Sequence, residues 1–103
     1  MTVIGFLSVA PVKEGSMGEE VANAVAALDD FDVAYETTPM GTTIEADSID
    51  VLLDAVEAAH TAVDGDRVST FLKIDDKRAS DGHASEKVDA VEEHLGHEAR
   101  KER

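Results

Sequence analysis

The order in which extended and helical patterns alternate limits this chain more than any single residue. Thr2 to Ala10 is rich in β-branched and aromatic residues and stops at Pro11, as a strand does. Met17, Val21, Ala24, Val25 and Leu28 then recur at helical spacing, and Ser16 with Glu19 fits a capping box at the start of that run. Asp29 and Asp30 oppose the helix macrodipole and end it. Val33 to Thr37 forms a second strand, Thr38 to Gly41 a turn, and Thr42 to Ala46 a third strand paired with the second as a hairpin. Asp47-Ser48 caps a second helix whose buried stripe is Leu52, Val56, Ala59 and Val63, with Asp50, Asp54 and Glu57 toward solvent and Gly65 closing it. Arg67 to Asp75 is a fourth strand, Asp76 to Ala84 a polar loop, and Ser85 caps a short last helix with the stripe Val88, Val91 and Leu95.

The two halves echo each other as strand, Ser-capped helix, strand. The order β-α-β-β-α-β plus a terminal helix is the ferredoxin-like split βαβ arrangement, an α+β sandwich. It implies one domain over residues 1–96, with 97–103 as a frayed C-terminal tail. Right-handed crossovers put both long helices on one sheet face. They cover Val3, Leu7, Val9, Ile44, Val68, Leu72 and Ile74. The opposite face is left with Ile4, Phe6, Ser8, Thr43, Glu45, Ser69, Phe71 and Lys73, because side chains alternate across a strand.

Charge narrows the partners. The chain carries 23 acidic and 9 basic side chains, a formal net charge of −14. That argues against nucleic acid and against an anionic membrane surface, both of which demand Lys and Arg. The acids are spread along the whole chain, which favours adaptation to a salty cytoplasm over a steering field. There is no cysteine, so disulfides, thiol catalysis and CxxC metal sites are excluded. No apolar run reaches membrane-spanning length and the N-terminus lacks a signal-peptide pattern, so the expectation is a cytoplasmic protein.

The segment Pro39-Met40-Gly41-Thr42-Thr43-Ile44-Glu45 carries the most chemistry. Pro39 suits the second position of a β-turn and Gly41 its fourth. The strand beyond presents a carboxylate in mid-strand, which is unfavourable unless solvent or a specific partner meets it. Glu45 forms either an ion pair with Lys73 on the same face or one wall of a small-molecule pocket, with Phe6 and Phe71 as its aromatic surfaces. An apolar sheet face bearing Ile4, Phe6 and Phe71 also fits packing against a second subunit. Asp75-Asp76-Lys77-Arg78 reads as a self-compensating solvated turn. His60, His83, His94 and His97 share no metal-ligand spacing. No nucleophile elbow or phosphate-cradling glycine loop is present, so the reading is a non-enzymatic protein without cofactor or metal.

Three runs together resemble the small thiamine-binding protein family: Val3-Ile4-Gly5-Phe6-Leu7-Ser8-Val9-Ala10-Pro11, Pro39 through Glu45, and Arg67 through Lys73-Ile74-Asp75-Asp76-Lys77-Arg78. The resemblance implies a ferredoxin-like domain that self-associates through its sheets, commonly to a tetramer, and binds thiamine or its hydroxymethylpyrimidine moiety. By position, Thr42 and Glu45 fall in the family's Gly-Thr-x-x-Glu pattern, and Lys73, Asp76 and Arg78 in its strand-four motif. Ala46 stands where the family usually has Gly, and Lys77 where it usually has Arg. The expected ligand site is Phe6, Ser8, Thr42, Thr43, Glu45, Phe71 and Lys73, with Lys73 orienting Glu45. Its rival is a structural or regulatory self-assembly domain with no physiological small ligand.

Overall fold

The computed structural model describes residues 1–103. Its elements are β1 (Thr2–Pro11), α1 (Gly18–Leu28), β2 (Ala34–Thr38), β3 (Gly41–Ala46), α2 (Ile49–Thr61), β4 (Val68–Lys77) and α3 (Ser85–Leu95). The four strands form one sheet in the order β2-β3-β1-β4 with every neighbouring pair antiparallel. This is the β-α-β-β-α-β sandwich with an added helix that the sequence pattern implies. β1 lies inside the sheet, which explains why both of its faces are apolar.

Burial follows the alternation of the strands. Val3, Leu7 and Val9 of β1, with Ile44 and Ala46 of β3, meet Ala24 and Leu28 of α1 and Leu52, Ala55, Val56 and Ala59 of α2 in one core. Leu28, Ile44, Leu52 and Val3 are its largest fully buried side chains. Gly5 lets α2 come close to the sheet: a Cβ there would lie 2.9 Å from Leu52 Cδ1. Ser48 caps α2, its Oγ accepting the Val51 amide at 3.3 Å.

Several local expectations shift. Ser16 does not build a capping box; its Oγ accepts the Gly18 amide at 3.3 Å in a Ser turn, and the helix opens at Gly18 with Met17 as its N-cap. α2 ends at Thr61, with Gly65 (φ +147°) in the loop beyond rather than at its close. β4 runs on through Asp76 and Lys77, because β1 continues to Thr2 and offers them partners. Ser85 is the first residue of α3 and not its cap. Ala84 already has helical backbone angles, and its amide is met by the Glu45 carboxylate from β3. A side chain from the sheet thus does what a local serine was expected to do.

α3 stands apart from the sandwich. Its apolar stripe is solvent-facing, with Val88 51%, Val91 55% and Leu95 48% exposed. It is attached near its N-terminal end by polar contacts: the terminal amine of Met1 to Asp81, Lys87 to Asp75, and His83 to Glu45.

Candidate functional site

The turn that leads into β3 is a two-residue connection, Pro39-Met40, closed by the pair Thr38 and Gly41. Thr38 Oγ1 donates to the Gly41 carbonyl at 2.8 Å and accepts from the Met40 amide at 3.2 Å. No residue other than glycine takes a positive φ, so Pro39-Met40 is not a mirror-image turn and places no demand for glycine on its central positions. Gly41 serves a different purpose. A Cβ at this position would lie 2.7 Å from Phe6 Cζ and 2.8 Å from the Leu7 carbonyl oxygen. The bare glycine is what lets the Phe6 ring rest across β3 on the open face.

The register sets the order of groups on that face. Ile4 lies between Glu45 and Asp75, and Phe6 between Thr43 and Lys73. β2 adds Ala34 beside Glu45 and Glu36 beside Thr43. Two hollows result. One, of about 270 Å³, is lined by Ala34, Glu36, Thr43, Glu45, His83 and Ala84. The other, of about 370 Å³, is lined by Ile4, Phe6, Thr43, Lys73, Asp75 and Lys87, so Thr43 is common to both.

Glu45 is the best-anchored group here, its side chain only 20% exposed. Its Oε2 accepts from His83 Nδ1 at 3.0 Å and its Oε1 from the Ala84 amide. The His83 hydrogen bond first, and the Ala84 amide second, hold the Glu45 carboxyl below the usual carboxylate range. The same contact pushes the His83 imidazole above its ordinary value. Asp75 is likewise held low by the Lys87 ammonium. Across its two hollows the open face therefore offers ionised acceptors at Glu45 and Asp75, the Thr43 hydroxyl between them and the Phe6 ring in the second, groups suited to a flat ring bearing an amino group or a positive charge.

The expected site residues do not all gather. Thr43, Glu45, Phe6 and Lys73 share the open face around the two hollows. Lys73 lies opposite Phe6, and Glu45 is met by His83 and Ala84 instead, so the expected Glu45–Lys73 pairing is replaced. Thr42 faces the other way. It is 5% exposed, its Oγ1 is 3.0 Å from Thr37 Oγ1, and it lines a separate cavity of about 160 Å³ beneath α1 with Val21, Val25, Leu28 and Met40. The reason is strand alternation: neighbours at 42 and 43 cannot point to one side. Ser8 and Phe71 are cross-strand partners on the open face, four residues along β1 from the Ile4–Glu45 row, about 13 Å away. Phe71, 59% exposed, is outside the Glu45 cleft.

His83, Ala84 and Glu36 are the members the sequence did not point to. His83 lies 38 residues from Glu45, in a loop without a metal-ligand spacing. The one local signal is its place immediately before a helical pattern, where backbone amides are free to meet an anion.

An antiparallel four-stranded sheet with two helices on one face and a carboxylate-centred cleft on the other defines a ferredoxin-like α+β domain. The sequence profile of the thiamine-binding protein family matches residues 6–92, and the chain belongs to that family. It is similar to a UPF0045 protein of Methanothermobacter thermautotrophicus, 47% identical over 78% of this chain and 84% of the relative. A crystal structure of a hypothetical protein from Methanocaldococcus jannaschii superposes with a TM-score of 0.81 at 33% identity, covering 89% of this chain and 97% of that one. A Thermotoga maritima structure, assigned provisionally to thiamine biosynthesis or salvage, gives 0.73 at 26% identity, covering 88% and 99%.

Proposed function

We propose that this protein binds thiamine, or its hydroxymethylpyrimidine moiety, on the open sheet face at Glu45, as a cytoplasmic homo-oligomer without catalytic turnover. The observation that carries the reading is the half-buried Glu45 carboxylate, ionised beside the Thr43 hydroxyl, with Phe6 in the adjoining hollow that shares Thr43, in a chain of the thiamine-binding family. Thiamine presents a cationic thiazolium, a pyrimidine amino donor and a flat ring, and the face has a counterpart for each. The two hollows that meet at Thr43 lie around the lower end of the range for small-molecule sites, about 300–1,000 Å³. The cavity beneath α1, at about 160 Å³, falls below it.

Binding without turnover is favoured by the carboxylates themselves. Glu45 is held below its ordinary range by His83 and the Ala84 amide, and Asp75 by the Lys87 ammonium, which makes both poor bases near neutrality. Turnover of thiamine or of a fragment by the purified protein would overturn this part of the reading. Self-association is supported by Phe71 and the α3 stripe, apolar groups left in solvent on one small chain. No helix is long and apolar enough to cross a membrane.

Isothermal calorimetry with thiamine and with the free pyrimidine tests the reading. Heat of binding with at least one, weakened by Glu45→Gln more for cationic thiamine than for the neutral pyrimidine, is the expected result. No heat with either ligand at millimolar concentration removes the proposal. It would favour an assembly domain whose bare face is wholly covered by a partner subunit.

A further inference from the structure

The carboxylate at the heart of the proposed site is already held by its own chain. His83 Nδ1 and the Ala84 amide both donate to Glu45, and both line the same cleft as Glu45 and Thr43. A cationic ring placed against Glu45 therefore meets the His83 imidazole where its own charge must go. We propose that His83 and the start of α3 form a latch on Glu45 that a cationic or amino-bearing heteroaromatic ligand displaces, so that His83 sets the pH dependence of binding and ligand occupancy loosens α3. The inference rests on the thiamine-site reading and assigns its competitor.

The surroundings suit a latch that opens. The His83 side chain is 76% exposed, so its ring can swing into water without disturbing the core. The contacts that tie 81–87 to the sheet and the N-terminus are polar: Met1 amine to Asp81, His83 and the Ala84 amide to Glu45, and Lys87 to Asp75. α3 adds no apolar anchor, since Val88, Val91 and Leu95 all face solvent. Release of the first turn thus breaks polar contacts that water can replace.

The charged groups around the latch give its direction. Glu45 is the main partner of His83, with Glu86 of α3 and Asp47 of the β3–α2 link adding to the negative field that favours the protonated imidazole. Glu36 of β2 lines the cleft from the other side. Lys77 of β4 acts on Glu45, and Lys73 and Lys87 stand in the adjoining groove. A ligand cation that replaces a protonated His83 enters the same field. It competes with a charged donor at low pH and with a neutral ring at high pH. Glu45, held below its ordinary value of 4.5, stays ionised throughout. His83, raised above its ordinary 6.5 by the Glu45 contact, passes from charged to neutral as pH rises through its folded value. Affinity for a cation therefore rises as pH climbs and the imidazole loses its proton.

The test is a calorimetric titration of thiamine into the full chain and into His83→Ala and His83→Gln, between about pH 6 and pH 8. Wild type is expected to tighten by about fivefold or more over that span, the size of a modest coupling. Both variants are expected to bind at least as tightly as wild type at the acid end, with a flatter profile. In parallel, proton NMR of the His83 ring is expected to show a lower titration midpoint in Glu45→Gln, and in wild type saturated with thiamine, than in free wild type. Thiamine binding with the same pH slope in all three proteins overturns the latch and leaves the binding site standing. A His83 midpoint unmoved by Glu45→Gln also overturns it. Absence of thiamine binding in every protein at every pH overturns both the site and the latch.

Discussion

Gly41→Ala is expected to destabilise the fold and to disturb the open face together. The added Cβ would stand 2.7 Å from Phe6 Cζ, 3.1 Å from Phe6 Cε1 and 2.8 Å from the Leu7 carbonyl oxygen. The ring can turn outward, whereas the Leu7 carbonyl cannot move freely, because Leu7 is paired with Thr42 on one side and Leu72 on the other. Forcing a methyl into so close a contact costs about 1–3 kcal/mol. Loss of chain entropy in the unfolded state returns about 0.4–1 kcal/mol. The difference centres on a net loss of about 1.3 kcal/mol, which lowers Tm by roughly 5–10 °C for a domain of this size. Thermal unfolding followed by circular dichroism reads this directly. Gly18→Ala is the matched control: its Cβ would meet only Ser16 Oγ at 3.6 Å, an ordinary contact at the start of α1, so its Tm should equal or exceed wild type. In a Phe6→Ala background the ring half of the clash is absent, and the cost of Gly41→Ala should shrink by about 0.5 kcal/mol or more. A Gly41→Ala protein that melts at the wild-type temperature, or one that costs the same with and without the Phe6 ring, would refute the account of why this glycine is needed.

Three other outcomes follow from the packing and the charges. Leu52→Ala removes a fully buried side chain between α2 and the sheet and should cost about 2–5 kcal/mol in denaturant unfolding. The α3 latch should be tightest in mild acid. Glu45, lowered on folding, contributes above its ordinary 4.5 and loses that contribution as pH falls through its folded value; His83, raised on folding, contributes fully below 6.5 and loses it as pH rises through its folded value. Hydrogen-exchange protection of the first α3 turn, corrected for intrinsic rates, should therefore peak between those two values. The charge of −14 should make global Tm rise on addition of potassium chloride, as self-repulsion is screened, while the same salt loosens the exposed ion pairs of α3. A Tm that falls with salt would contradict the salt-adaptation proposal.

The fold was largely legible because two strong periodicities agreed. The β1 alternation and the helical stripe of Leu52, Val56, Ala59 and Val63 each point at a single core, and all four are buried, Val63 just past the end of α2. The capping of α2 by Ser48 was legible for the same reason, since its hydrogen bond spans three residues. What escaped was non-local. Ser85 looked like a cap, yet α3 receives its cap from Glu45, 39 residues before Ala84, which no window of sequence can reveal. The same gap hid His83 from the site. Thr42 was grouped with Glu45 on a motif, and strand alternation sends it to the helix side. Gly41 looked like a turn residue, whereas the constraint on it comes from a ring in β1.

A crystal structure grown with thiamine tests the central claim most directly. The expected density lies on the sheet face opposite α1 and α2, with the ligand's amino or cationic end at Glu45, its flat surface near Phe6, and the His83 ring turned away. Ligand seated instead beneath α1 against Thr37 and Thr42, or a Glu45 cleft still closed by His83 in crystals that hold thiamine elsewhere, would contradict it.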